Sequence, residues 1–311
     1  MKNCAVFAAI YLTLSSFAVA QDNSSQGEAA VAPPKYSQKS NPFVRIRRSA
    51  EDEPIALETS IVSYVTAEEG DSNLRIDLIG AIHIADKSYY TQLNEAFTKY
   101  DSLLFELVAP ENARLPGPDE RVRKKSVLTS AQLGLKSMLD LEFQLEQIDY
   151  SRDNFVHADM SPEEFSKSMK DRGESFLKMF FRAIGYSTAM QSKDPEKYND
   201  LAMITALLSK NRSLRLKRIM AGQFEDLDGA ITSLSGPGGS TIITERNKKA
   251  LEVLDREIKA GKRRIGIFYG AGHLPDMEKR LLEDFGMKRA EVKWLSAWSL
   301  KAGDKTKSQA K

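Results

Sequence analysis

RRIGIFYGAGHLPDMEKRL, running from Arg263 to Leu281, reads as a short apolar strand, a glycine turn that carries His273, and a helix. An earlier stretch, LRIDLIGAIHIADKSYYTQL from Leu74 to Leu93, has the same plan around Gly80 and His83. Aligned, the turns are G-A-I-H-I-A-D and G-A-G-H-L-P-D, with Gly, Ala, His and Asp at matching offsets. Two of the three histidines in the chain therefore occupy equivalent places in two copies of one unit. The expectation is that the copies face each other and that their histidines share a site.

Composition narrows the class. The 311 residues carry 45 Lys and Arg against 43 Asp and Glu, a formal net charge of +2. That balance gives no electrostatic footprint for a nucleic-acid partner. Residues 1–20, MKNCAVFAAIYLTLSSFAVA, hold one lysine, an apolar run and a closing Ala18-Val19-Ala20. This is the pattern of a cleavable signal peptide, so a secreted or periplasmic protein is expected. Thr13, Ser15 and Ser16 break the run, which is short for a membrane span of about 20 apolar residues. The single cysteine, Cys4, lies inside that segment. Thiolate catalysis and cysteine-held metals are thereby excluded from the expected mature chain. No other stretch is long and apolar enough to cross a bilayer.

Residues 21–53 are rich in Ser, Gln, Ala and Pro, without apolar periodicity, and are expected to form a disordered linker. Arg45-Ile46-Arg47-Arg48 is a small basic cluster within it. A folded domain is expected over 54–300 and a polar tail over 301–311. IALETSIVSYVT and LRIDLIG predict a β-hairpin. Asp86 is placed to cap a helix reaching about Tyr100, and SLLFELV, Ser102 to Val108, to form a central strand. From about 110 to 240 the character turns helical, with helices expected over 127–148, after the capping box Ser161-Pro162-Glu163-Glu164, through Phe176 to Ile184, and over 201–220. Gly236 to Ser240 reads as a joint. A helix over 244–260 stopped by Gly261, the second unit with its helix stopped at Gly286, and a closing strand from Val292 to Leu300 follow. The fold class is α/β: a mixed sheet built from two related strand–GxxH–helix halves, interrupted by a helical insertion lobe.

Each motif histidine lies just past the carboxyl end of an apolar strand, where open α/β sheets build their sites. Glu106 sits between Phe105 and Leu107, and a carboxylate inside an apolar strand needs a partner. If its strand is beside the His83 strand, Glu106 emerges near His83. His83, His273 and Glu106 then make an N₂O set suited to a divalent Mn, Fe, Co or Zn ion with open positions. Helical spacing turns Arg246 and Asn247 toward the buried face with Ala250 and Leu251. An inward arginine needs a carboxylate or an anionic ligand; Glu106 or Glu245 could partner it, and it could hold an oxyanion or orient Glu106. His157 has no matched partner and reads as a surface or helix-start residue, with a place on the lid of the site as the alternative.

With both turns, Glu106 and the Glu245-Arg246-Asn247 helix start, the chain resembles the TraB/PrgY/GumN family of the TIKI superfamily, which also takes in the erythromycin-esterase and ChaN-like proteins. The resemblance covers about Ile55 to Val108 and Thr241 to Leu300. It implies a domain of two related halves with one site between them, and a metal-dependent protease using Mn or Co. It implies His83, Glu106, Arg246 and His273 as catalytic residues, and His83, Glu106 and His273 as metal ligands. The expected substrate is a peptide or small molecule. A metal-free hydrolase with a histidine general base, and a peptide- or haem-binding protein without catalysis, are the alternatives that the same resemblance implies.

Overall fold

The computed structural model describes residues 42–67, 73–110, 138–193, 205–224, 231, 235 and 238–302. The expected signal peptide, most of the expected linker and tail, and the expected helical residues 127–137 and 201–204 lie outside the described residues.

In chain order the strands and helices are β1 (Val44–Arg48), β2 (Pro54–Thr66), β3 (Arg75–Ala81), β4 (Ile84–Ala85), α1 (Lys87–Phe97), β5 (Ser102–Phe105), β6 (Glu142–Phe143), the single turn α2 (Gln144–Gln147), β7 (Phe155–His157), α3 (Pro162–Asp171), α4 (Phe176–Lys193), α5 (Arg212–Phe224), α6 (Arg246–Lys259), β8 (Arg264–Gly270), α7 (Leu274–Glu283) and β9 (Met287–Ser299). The class is mixed α/β, as the patterning requires. β9 runs antiparallel along one edge of β2. On the other edge β1 and β3 lie end to end, β1 against Pro54 to Thr59 and β3 against Ile61 to Val65. β3, β8, β5 and β7 then continue as a parallel run.

Burial explains the strand patterns. β2, β3 and β8 are buried on both sides along most of their length because helices cover both faces of the sheet. One face packs Tyr89, Leu93 and Phe97 of α1 against Leu103, Phe268 and Trp298. The other packs Ala250, Leu251 and Leu254 of α6 and Met277 and Leu281 of α7 against Ile76, Leu78 and Ile267. Each fully buried side chain of this size contributes about 1.5–3 kcal/mol. Among the described residues no helix is long and apolar enough to cross a membrane.

Several expectations are corrected. The basic cluster of the supposed linker is strand β1. Phe43 and Val44 are buried, while Arg45 and Arg47, two apart and so on one face, both reach Glu58 at 2.8 and 2.6 Å. Arg45 also lies 4.0 Å over the Trp294 ring. The two histidine units do not face each other. They stand side by side, with β3 paired parallel to β8, and Ala81 rather than Gly80 lies opposite Gly270. Glu106 follows β5, whose neighbours are β8 and β7, so its strand adjoins the second histidine strand and not the first. The insertion is not wholly helical: Phe155–His157 extends the main sheet, and Glu142–Phe143 pairs with Ile84–Ala85. Within the helix expected over 127–148, residues 142–147 form β6 and the single turn α2.

Helix termini follow local chemistry. Ser161 and Glu164 form the expected capping box. Gly261 and Gly286 end their helices at φ of 88° and 59°, where a side chain would be strained. Asp86 stands at the N-cap of α1 but makes no capping bond. Its carboxylate accepts from Lys217 Nζ at 2.9 Å and from the Ser299 backbone at 2.6 Å, tying the insertion to β9.

Candidate active site

The parallel run sets the site. β3, β8 and β5 end at one edge, and His83, His273 and Glu106 are the residues that leave them there. A Cβ on Gly270 would lie 3.2 Å from Glu106 Oε2, 3.7 Å from His273 Cδ2 and 3.8 Å from His83 Nε2. The three expected metal ligands therefore converge beside Gly270, where an added Cβ would press most closely on Glu106.

Glu106 is held on both oxygens. Oε2 accepts from the Gly270 backbone N–H at 2.7 Å, and Oε1 from Arg246 at 2.8 Å. Burial alone would raise its pKa, but Arg246, the two histidines and that N–H outweigh burial and hold it well below the usual carboxylate range. Glu106 is thus an anion at any ordinary pH.

Arg246 leads helix α6 and is 3 % exposed. Besides Glu106 it grips Asp159 in a fork, at 2.9 and 2.6 Å. Burial works against its charge, but Asp159 and Glu106 overcome burial and raise its pKa. Of the partners open to it in the sequence, Glu106 is taken; Glu245 turns instead to Arg172 and Lys248. With both carboxylates on the guanidinium, Arg246 fixes Glu106 in place. Asp159 is the residue that motif reading missed. Its signal was an acid between Ala158 and Met160 just ahead of the capping box, and an inward arginine with room for two carboxylates.

His273 is set by Asn247. The Asn247 amide nitrogen donates to the His273 carbonyl at 3.0 Å and to Asp276 at 2.9 Å, so its oxygen faces His273 Nδ1 at 2.7 Å. Nδ1 must then carry the proton, and Nε2 points at Glu106 Oε1, 3.5 Å away. Burial lowers the pKa of this ring to about 4, the Glu106 charge notwithstanding, so the contact is not an ion pair at neutral pH. Two acceptors face each other across that gap, beside two carboxylates that share one guanidinium. A proton, a water or a cation suits the position.

His83 lies between β3 and β4 and is half-buried. His157, at the end of β7, gives Nε2 to the Leu107 carbonyl at 2.6 Å and its ring to Phe105, which supports the chain leading into Glu106. Among the described residues no group of three or more His, Cys, Asp or Glu side chains could hold a metal ion as they stand. His273 and Glu106 fit as a pair, with His83 nearby but not closed upon them. Surface depressions beside Asp86 and between α3 and α6 are lined by none of the three. Comparison of the chain with models of protein families, with curated proteins and with solved structures finds no match.

Proposed function

We propose that the chain is a hydrolase of the TraB/TIKI type, acting on a peptide or a small amide or ester, that activates water at Nε2 of His273. The observation that carries this reading is the oriented imidazole: Nδ1 is committed to Asn247, and Nε2 is bare beside the Glu106 anion. Water bound at Nε2 gives up a proton to the ring as its oxygen attacks the substrate carbonyl. The imidazolium so formed is stabilised by Glu106, and the same proton then passes to the leaving amine or alcohol. Arg246 and the Gly270 N–H keep Glu106 ionised and aimed throughout. His83, across Gly270, faces the same space and is placed to border the bound substrate.

A second reading rests on the facing acceptors. A divalent cation, Mn or Co by the resemblance and Zn or Fe by donor type, would be held by His273 and Glu106, with His83 moving in. When bound, it would supply a Lewis acid and an ionised water. In both readings the charge balance of the cluster favours a positive species at that gap.

The test uses the purified full chain with labelled casein, a fluorogenic peptide library and p-nitrophenyl acetate, with and without EDTA, alongside elemental analysis. Hydrolysis that survives EDTA and falls roughly 100-fold or more in His273→Ala supports the base reading. Stoichiometric metal and loss on chelation support the second. Full activity in a His83→Ala/His273→Ala double variant sinks both. Stoichiometric peptide binding without turnover points to a binding protein instead.

A further inference from the structure

Asn247 settles the tautomer of His273, but no hydrogen bond to the His83 ring occurs among the described residues. The residue opposite His83 is Gln144. Ile84 pairs with Phe143 and Ala85 with Glu142, so the antiparallel register brings His83 against Gln144, and the Gln144 N–H donates to the His83 carbonyl at 2.8 Å. Directly opposed residues of an antiparallel pair put their side chains on one face, with Cβ atoms about 5 Å apart.

Gln144 is 6 % exposed. Its amide nitrogen donates to the Tyr150 hydroxyl at 2.8 Å. Its amide oxygen is the one fully buried side-chain nitrogen or oxygen among the described residues left without a partner. Such an acceptor costs about 1–3 kcal/mol unless a donor reaches it. Turning the amide over does not help, since it would leave the nitrogen unpaired instead. An oxygen so enclosed is met by a neighbouring side chain or by a buried water rather than by a substrate from outside.

We propose that Gln144 is the positioning residue of His83. Its carboxamide oxygen takes the Nδ1 proton of the His83 ring and leaves Nε2 bare on the Gly270 and Glu106 side. The site then holds two imidazoles oriented alike, each by a carboxamide: Asn247 from the start of α6, and Gln144 from the turn α2. The ring needs only to rotate about its own side-chain bonds. This assignment rests on the reading of His83 as a site residue, but it is tested without any substrate.

The chain has three histidines, so long-range ¹H–¹⁵N spectra of the rings in the full-length protein are readily assigned with His83→Gln and His157→Gln variants. The expected result is a dominant Nδ1–H tautomer at His83, weakened about tenfold in Gln144→Met and restored in Gln144→Glu, which keeps an acceptor at the same reach. An Nε2–H tautomer at His83, or a tautomer unmoved by Gln144→Met, overturns the assignment. If Gln144→Met does not fold, Gln144→Glu still decides: the Nδ1–H form must persist in it. Because the readout is a tautomer, hydrolysis can fail with this result intact, and the reverse.

Discussion

The Asn247 side-chain oxygen stands 2.7 Å from Nδ1 of His273, and its nitrogen is spent on two other acceptors. The carboxamide therefore has one orientation and fixes one tautomer. Replacing Asn247 by Leu removes the acceptor of the His273 ring and one donor each from the His273 carbonyl and from Asp276, which keeps Arg280. A loss of about 1–3 kcal/mol in urea unfolding is expected, with the His273 ring no longer confined to the Nδ1–H form by NMR.

Arg246 holds two buried carboxylates at once. Arg246→Met leaves Glu106 and Asp159 without their cation, and the loss is expected at about 3–5 kcal/mol. The triple change to Arg246→Met, Glu106→Gln and Asp159→Asn should recover much of that stability, because it removes the charges together. Chemical denaturation of the two variants distinguishes an uncompensated charge from simple loss of packing.

Acid should weaken the fold in two stages. The His273 pKa falls from 6.5 to about 4 on folding, so between these values the unfolded chain takes up a proton that the folded chain refuses. Stability is complete above 6.5 and declines as pH falls through this window, by a cost on the order of 3 kcal/mol. Glu106, whose pKa is also lowered, adds a further loss below the usual carboxylate range. Urea midpoints across pH should show the first slope in the parent chain and not in His273→Gln.

Alkali probes the core. Burial, first of all, raises the pKa of Tyr64, Tyr89, Tyr90, Tyr100 and Tyr269. The unfolded chain loses these protons near the ordinary tyrosine value, so stability falls as pH rises through it. Ultraviolet difference titration should show these five of the ten tyrosines ionising only as the protein unfolds.

Trp298 donates its indole N–H to the Ile84 carbonyl at 2.7 Å, next to the His83 turn, and packs edge-on against Phe224 of α5. Trp298→Phe keeps the ring contact but leaves a buried carbonyl unpaired. A loss of about 1–3 kcal/mol is expected from thermal unfolding, with shifted His83 resonances as the local sign.

The candidate site was legible where residue type and position spoke together. Matched turns singled out His83 and His273, apolar neighbours singled out Glu106, and helical spacing turned Arg246 inward. What stayed hidden depends on long-range register. Nothing local tells that β8 enters between β3 and β5, so the neighbour of Glu106 came out wrong. Strand β1 was masked by the polar residues around it, because five residues are too few to show alternation against a linker's composition. Asp159 and Gln144 are ordinary polar residues in their own segments; only pairing across the fold brings them to Arg246 and His83. The motif Asp residues also part company. Asp86 binds Lys217, whereas Asp276 supports Asn247, because the chain after His83 makes a short strand before its helix and the chain after His273 does not.

The strand at the centre of the parallel run is among the last to be made. β8 occupies Arg264–Gly270, yet β3 and β5, which it joins, end at Ala81 and Phe105. A growing chain must carry both of those strands with open edges until nearly all of its length has emerged. β2 waits longer still, for β9 at Met287–Ser299. Such pairings close long loops before they stabilise anything, so folding is slow and late, and the exposed edges invite wrong partners in the meantime. A chain cut short before β8 cannot seat Glu106 beside Gly270, and a tag or fusion that hinders the carboxyl end will disturb a site whose first residue lies two hundred positions earlier, at roughly that separation in sequence.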